Sequence, residues 1–235
     1  MGPITRTVGG VSILAVPALI LVADELRMAI EPEQTGTLVN TEYGVEWALA
    51  DLAAIEADRG TFVFSAALSY AAVLLLVPLL LGVWRLSVAR SPRWAWASAV
   101  LAALGVTGSM VHLTAYHGMS LAALEVDDRT AAAEMLVAAE GVPFVIALFA
   151  GFFISLIVWV PQAIGLYRSR VIPLWGAVAV GVGTVAWLAV GSTPWSTPVW
   201  AVAVTAGFAP AALAMLRGRV PSEAEPAPAA TPAHA

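Results

Sequence analysis

Apolar residues fall along this chain in six long runs, not in the short alternations of strands: Val8 to Ala23, Thr61 to Trp84, Trp94 to Tyr116, Val142 to Tyr167, Val171 to Val190 and Val199 to Leu216. A helix needs roughly 20 apolar residues to cross about 30 Å of hydrocarbon, and most of these runs approach or exceed that length. The pattern predicts an all-α integral membrane protein of six transmembrane helices. The first run is short and ends in Asp24-Glu25, so its helix is expected to reach back toward Ile4 or to thin the bilayer around it. It reads as an uncleaved anchor. A cleaved signal peptide is the alternative, weakened by Leu21 in the place of a small residue and by a single side-chain charge, Arg6, ahead of the run.

The polar connections differ from one another. From Asp24 to Gly60 the chain is long, and its second half carries Val45, Leu49, Leu52 and Ile55 at helical spacing, with Glu42, Glu46 and Glu56 elsewhere, Asn40-Thr41 as a cap and Gly60 as a stop. An amphipathic helix over about 43–57 is expected, lying on the outer surface with Trp47 at headgroup level. In the third connection Asp128 is placed to cap a second such segment, with Met135, Leu136 and Ala139 as a weak apolar face and Gly141 as its end. Residues 1–220 form one transmembrane domain in this reading, and 221–235, rich in proline and alanine, a disordered cytoplasmic tail. Gly105, Gly108, Gly151, Gly165, Gly176, Gly181 and Gly183 are expected in the bundle interior, where small residues let helices approach. Pro17, Pro78, Pro161 and Pro210 read as static kinks.

Charge orients the bundle. Eight of the eleven arginines lie in the amino terminus, the second and fourth connections and the carboxyl tail, whereas fourteen of the sixteen acids lie in the opposite connections. By the positive-inside rule both termini are cytoplasmic and the amphipathic segments are outside. Composition agrees, with 60% hydrophobic and 11% charged residues and a mean hydropathy of +0.86, so the lipid bilayer is the main partner and a nucleic-acid partner is excluded. There is no cysteine and no lysine. Thiolate chemistry, cysteine-held iron–sulfur clusters and c-type haem attachment are thereby excluded, as is a Schiff base to retinal or pyridoxal phosphate. Arginine without lysine, with abundant alanine, points to a GC-rich bacterial genome and hence to the bacterial cytoplasmic membrane.

No nucleotide, zinc-protease or nucleophile-elbow motif is present. The candidate chemistry is therefore a matter of isolated polar residues. His112 lies about one turn inside the outer end of the third run, where an ionisable group is costly, and Ser109 and Tyr116 share its face at spacings of three and four; it reads first as a neutral side chain hydrogen-bonded to a neighbouring helix, and otherwise as a functional group. These three and Trp187 are the candidate ligand-binding residues. His117, five positions on, is expected to point elsewhere. Asp24, Glu25 and Glu140 could face a common outer vestibule and, with His112, supply acid–base catalysis; as plain interfacial charges they would merely end spans, Asp24 or Glu25 pairing with Arg27. No paired-ligand spacing supports a metal, and no cofactor is expected. Gln162 reads as a helix-to-helix hydrogen bonder, and most tryptophans as interface anchors, with Trp159 and Trp187 deep enough to line a cavity.

The two inner turns resemble each other, Gly82-Val83-Trp84-Arg85 with Arg90, Pro92 and Trp94 against Gly165-Leu166-Tyr167-Arg168 with Arg170, Pro173 and Trp175. Either an ancient duplication or the shared needs of cytoplasmic hairpins would produce this. The stretch Gly165-Leu166-Tyr167-Arg168-Ser169-Arg170-Val171-Ile172-Pro173-Leu174-Trp175-Gly176 also resembles a turn in bacterial six-helix membrane families catalogued only as domains of unknown function. That resemblance implies the six-helix topology and carries no activity. The expected function is binding or translocation of a small apolar or amphipathic ligand in an outward-facing cavity. The alternatives are a membrane enzyme acting on a lipid-like substrate, and an accessory subunit whose glycine faces dock a membrane-protein partner or a second copy.

Overall fold

The computed structural model describes residues 2–31, 44–140, 143–191 and 193–219, with backbone alone at 140 and 143–149. These residues are helical throughout, with no strand among them. In chain order the helices are α1 (Pro3–Ile30), α2 (Val45–Ala57), α3 (Arg59–Ser87), α4 (Pro92–Leu113), α5 (Met119–Ala123), α6 (Arg129–Glu140), α7 (Pro143–Ile157), α8 (Trp159–Arg168), α9 (Leu174–Val190) and α10 (Ser196–Leu216), with a π turn, Thr114–Gly118, joining α4 to α5. Five stretches are long and apolar enough to cross a membrane: Pro3–Ile30, Arg59–Ser87, Pro92–Ala123, Ala150–Arg168 and Ser196–Leu216. The chain is thus a multipass membrane protein by its helices. The fifth expected span, α9, is apolar but shorter, at 17 residues.

The first helix packs on α3 and on the last helix, α10; α3 packs on α4, α4 on α7 and α8, α8 on α9, and α9 on α10. Neighbours run antiparallel. Ser65 Oγ donates to the Ala23 carbonyl at 2.9 Å at one end of the α1–α3 pair, while Gly82 backs onto Gly9 at the other. The described chain begins and ends on the same side, where Gly218 lies against the Arg6 guanidinium.

Expected glycine contacts hold at the closest crossing. A Cβ on Gly105 would lie 2.7 Å from Ser155 Cα, and one on Gly108 would meet the Gly151 backbone, so α4 and α7 touch main chain to main chain. Gly181 departs from expectation: a Cβ there would meet nothing within 4 Å, because it faces out of the bundle. Gly9, Gly10 and Gly207 make close approaches that their sequence context did not single out. The core between α8, α9 and α10 is aromatic. Trp187 stacks on Trp200 at 5.0 Å between centroids, and Trp159 meets Trp200 edge-on at 5.6 Å. Trp200 is 1% exposed and is no interface anchor, whereas Trp96, Trp175 and Trp195 stay exposed.

Three boundaries differ from the sequence reading. Helix α1 does not end at Asp24-Glu25; it runs to Ile30, because Arg27 pairs with Asp24 on one side and Glu31 on the other and so neutralises the turn that the acids would have broken. Helix α2 does not stop at Gly60. Asp58 closes it, with its N–H donating to the Ala54 carbonyl at 3.2 Å, and then caps α3 by accepting from the Thr61 N–H at 3.3 Å, leaving Gly60 inside α3. The Asn40-Thr41 cap and Gly141 lie outside the described residues. Asp128 does cap α6, accepting from the Thr130 and Ala131 N–H groups at 3.0 and 3.1 Å. The buried face of α6 is Ala132, Ala133 and Leu136, while Met135 is exposed.

Together α2 and α6 make a second, smaller core over one end of the bundle, in which Ala48, Leu52 and Ile55 pack with Phe62, Ala123, Leu124 and the α6 face. Arg129 pins this roof: it donates to Glu56 at 2.8 Å and to the Leu124 carbonyl at 2.7 Å.

Candidate functional site

Beneath the roof, one hydrogen-bonded chain joins four elements. Trp187 Nε1 on α9 donates to Thr197 Oγ1 at 3.1 Å, and the Thr197 hydroxyl donates to Asp24 Oδ2 at 2.6 Å. Asp24 Oδ1 accepts from Arg27 Nη2 at 2.6 Å. Arg27 Nη1 donates to Glu31 Oε2, and the Tyr116 hydroxyl of the π turn donates to Glu31 Oε1. The Glu31 side chain is 5% exposed. Spacings of three and four place Asp24, Arg27 and Glu31 on one face of α1. Thr197 is set by the start of α10, where Thr193 and Ser196 exchange bonds, Thr193 N–H to Ser196 Oγ at 2.8 Å and Ser196 N–H to Thr193 Oγ1 at 3.0 Å.

The π turn decides where the histidines go. In a regular helix residues five apart point about 140° from each other, but one wider turn brings them toward one side. His117 therefore turns inward, against expectation, and is 3% exposed; its ring lies 4.9 Å from Tyr116 and 5.1 Å from Phe62. Its Nδ1–H donates to the Leu113 carbonyl at 3.2 Å, which leaves Nε2 as the lone-pair nitrogen; Nε2 is buried with no hydrogen-bond partner among the described residues. His112 sits at the edge of the group, stacked on Phe152 at 4.2 Å and on Tyr116 at 6.4 Å. On the opposite flank of the same turn, an open groove of about 390 Å³ is lined, among the described residues, by Met110, Val111, Thr114, Ala115 and Met119. Tyr70 donates to Thr114 Oγ1 at 3.1 Å beside it.

The residue that the sequence reading missed is Asp51. It occupies the inward face of α2 between Ala48 and Leu52, is 1% exposed, and neither carboxyl oxygen has a hydrogen-bond partner among the described residues. Burial, then the negative charge of Glu31, push its carboxyl up to about 7, with Arg27 opposing. Its signal was in the sequence: Ala48, Asp51, Leu52 and Ile55 share a helical face, so a carboxylate sits among residues that must be buried.

The expected set is thus brought together in part. Asp24, Tyr116 and Trp187 belong to one network, and His112 stacks on Tyr116. Ser109 is buried one turn before His112. Glu25 is half-buried, with Oε1 lacking a hydrogen-bond partner among the described residues, and takes no part in the chain of bonds. The side chain of Glu140 lies outside the described residues. Among the described residues no three histidine or acidic side chains converge to hold a metal ion. No protein-family model, no curated protein sequence and no solved structure matches the chain.

Proposed function

We propose that this is a six-span protein of the bacterial cytoplasmic membrane, with both termini inside, that binds or translocates a small amphipathic ligand at an outward-facing site roofed by α2 and α6. One observation carries the reading: a continuous, half-buried polar chain runs from Trp187 to Tyr116, and its Tyr116 end packs into the small core that α2 and α6 form. A passive bundle has no use for six partnered polar groups, with atoms unpartnered among the described residues on Glu25, Asp51 and His117 besides, at a single end, since desolvating such groups costs a few kcal/mol each. Helix α9 supports the sixth span, because its 17 residues rise about 25 Å, at the short limit for crossing. The arginines at the opposite end support the orientation.

Two measurements test this. A phosphatase fused after Arg219 should be inactive in cells, and activity there would overturn the orientation. The protein in phosphatidylcholine nanodiscs should be stabilised, saturably and by several degrees, by at least one of octanol, octyl glucoside, octylammonium and octyl sulfate below their micellar concentrations. No shift with any of the four would overturn the ligand site.

A further inference from the structure

We infer that the ligand of this site carries a protonated amine, and that Asp51 receives it. The inference rests on the proposed ligand site and names the chemistry of its occupant. Three carboxylates, Asp24, Glu31 and Asp51, gather near one guanidinium. Arg27 gives its Nη2 to Asp24 and its Nη1 to Glu31, and neither Asp51 oxygen receives a hydrogen bond from a described residue.

Among the described residues, the groups that face Asp51 are few. Glu31 and Arg27 come from α1 and Tyr116 from the π turn. Helix α6, packed against α2, presents the apolar side chains of Ala132, Ala133, Leu136 and Val137 to the small core. His117, against Tyr116 and Phe62 in the same neighbourhood, offers Nε2 as an acceptor. Among the described residues this end of the bundle therefore holds buried acceptors that no donor meets: the two Asp51 oxygens, once ionised, and His117 Nε2. An alkylammonium head has three N–H donors and one positive charge, which is the complement of that set. The rings of Phe62, Tyr116 and His117, at 4.9 to 5.9 Å from one another, add faces on which a cation is attracted. An anion would be repelled by the carboxylates, and a neutral alcohol would bring no charge to take the place of the Asp51 proton.

When Asp51 holds no cation, a proton takes its place, and the raised carboxyl value agrees with that. Binding an ammonium group then displaces the proton: the Asp51 O–H bond breaks, H⁺ leaves to solvent, and the carboxylate accepts the N–H of the ligand.

The experiment compares octylammonium, octanol and octyl sulfate on the protein in phosphatidylcholine nanodiscs, with empty nanodiscs subtracted. Octylammonium should bind at least tenfold more tightly than octanol at pH 8, and octyl sulfate less tightly than either. Asp51→Asn should bring octylammonium down to the octanol level and leave octanol unchanged, while Glu134→Gln, an exposed acid on α6, should alter neither. In weakly buffered solution at pH 6, wild-type protein should release up to one proton per octylammonium bound and none with octanol, a readout that needs no variant. If octanol binds as well as octylammonium to wild type, or the preference survives Asp51→Asn, the cation inference falls while the ligand site stands. If none of the three binds, the cation inference falls, and if octyl glucoside too is without effect the ligand site falls with it.

Discussion

Thr197 ties α10 to α1: its hydroxyl donates to Asp24 at 2.6 Å across 173 positions while its oxygen accepts the Trp187 indole N–H. Both partners are held by this one buried side chain. Thr197→Val keeps the shape and removes both bonds, leaving an indole N–H and a carboxylate oxygen short of a partner. The expected loss is about 1–3 kcal/mol, read as a lower midpoint in reversible unfolding, with Thr197→Ser retaining most of the stability. A Thr197→Val protein as stable as wild type would show that the link contributes nothing.

Asp51 makes stability depend on pH. Its carboxyl lies near 7 in the folded protein and near 4 in an unfolded chain, by model-peptide values. A raised value means that the folded state binds the proton more tightly. The contribution is thus complete below about pH 4 and is lost as pH rises through 7. Up to about 4 kcal/mol is at stake, at 1.36 kcal/mol for each pH unit between the two values. Asp51→Asn should flatten the stability profile between pH 5 and 8 and leave the variant more stable than wild type at pH 8. An unchanged profile would place the titration elsewhere.

The two kinds of glycine should respond oppositely to alanine. Gly108→Ala puts a methyl into the Gly151 backbone and must push α4 from α7, so a loss of about 2 kcal/mol or more is expected from overpacking. Gly181→Ala meets open space on an outward helix face and should be neutral or stabilise by up to about 1 kcal/mol. Comparing the two melting points checks both, and equal effects would contradict the α4–α7 contact.

The inner turn after α8 ends on a left-handed residue. Arg170 has φ 57°, and the turn closes with Val171 N–H to the Leu166 carbonyl at 2.9 Å and Arg170 N–H to the Tyr167 carbonyl at 2.8 Å. Gly218, at φ 71°, does the same work after α10 without a side chain. Arg170→Gly should therefore stabilise by about 0.5–1 kcal/mol by removing the left-handed penalty of a side chain. A clear loss would mean that the guanidinium contributes more than the backbone strain costs.

The sequence by itself determined the helical, multipass character, the order of the spans and the opposed distribution of arginine and acid. Those properties follow from local composition, because burying a span in lipid needs only a sufficient run of apolar side chains. The Asp128 cap and the Gly105 and Gly108 contacts were legible for a similar reason: each is a short-range rule of backbone geometry or size. Tertiary structure decided the site. Helix α1 continues through Asp24 because Arg27 and Glu31 close on it, and Glu31 counts as a buried group only once Tyr116 arrives from 85 residues away. His117 points inward because one turn widens into a π turn, which the five-residue spacing of the histidines does not announce. Asp51 became the centre of the site when α2 docked on α6 and α3 and turned its mixed face inward. A charge is costly or harmless according to what surrounds it in space, and that surrounding is assembled from four separate helices and a single turn.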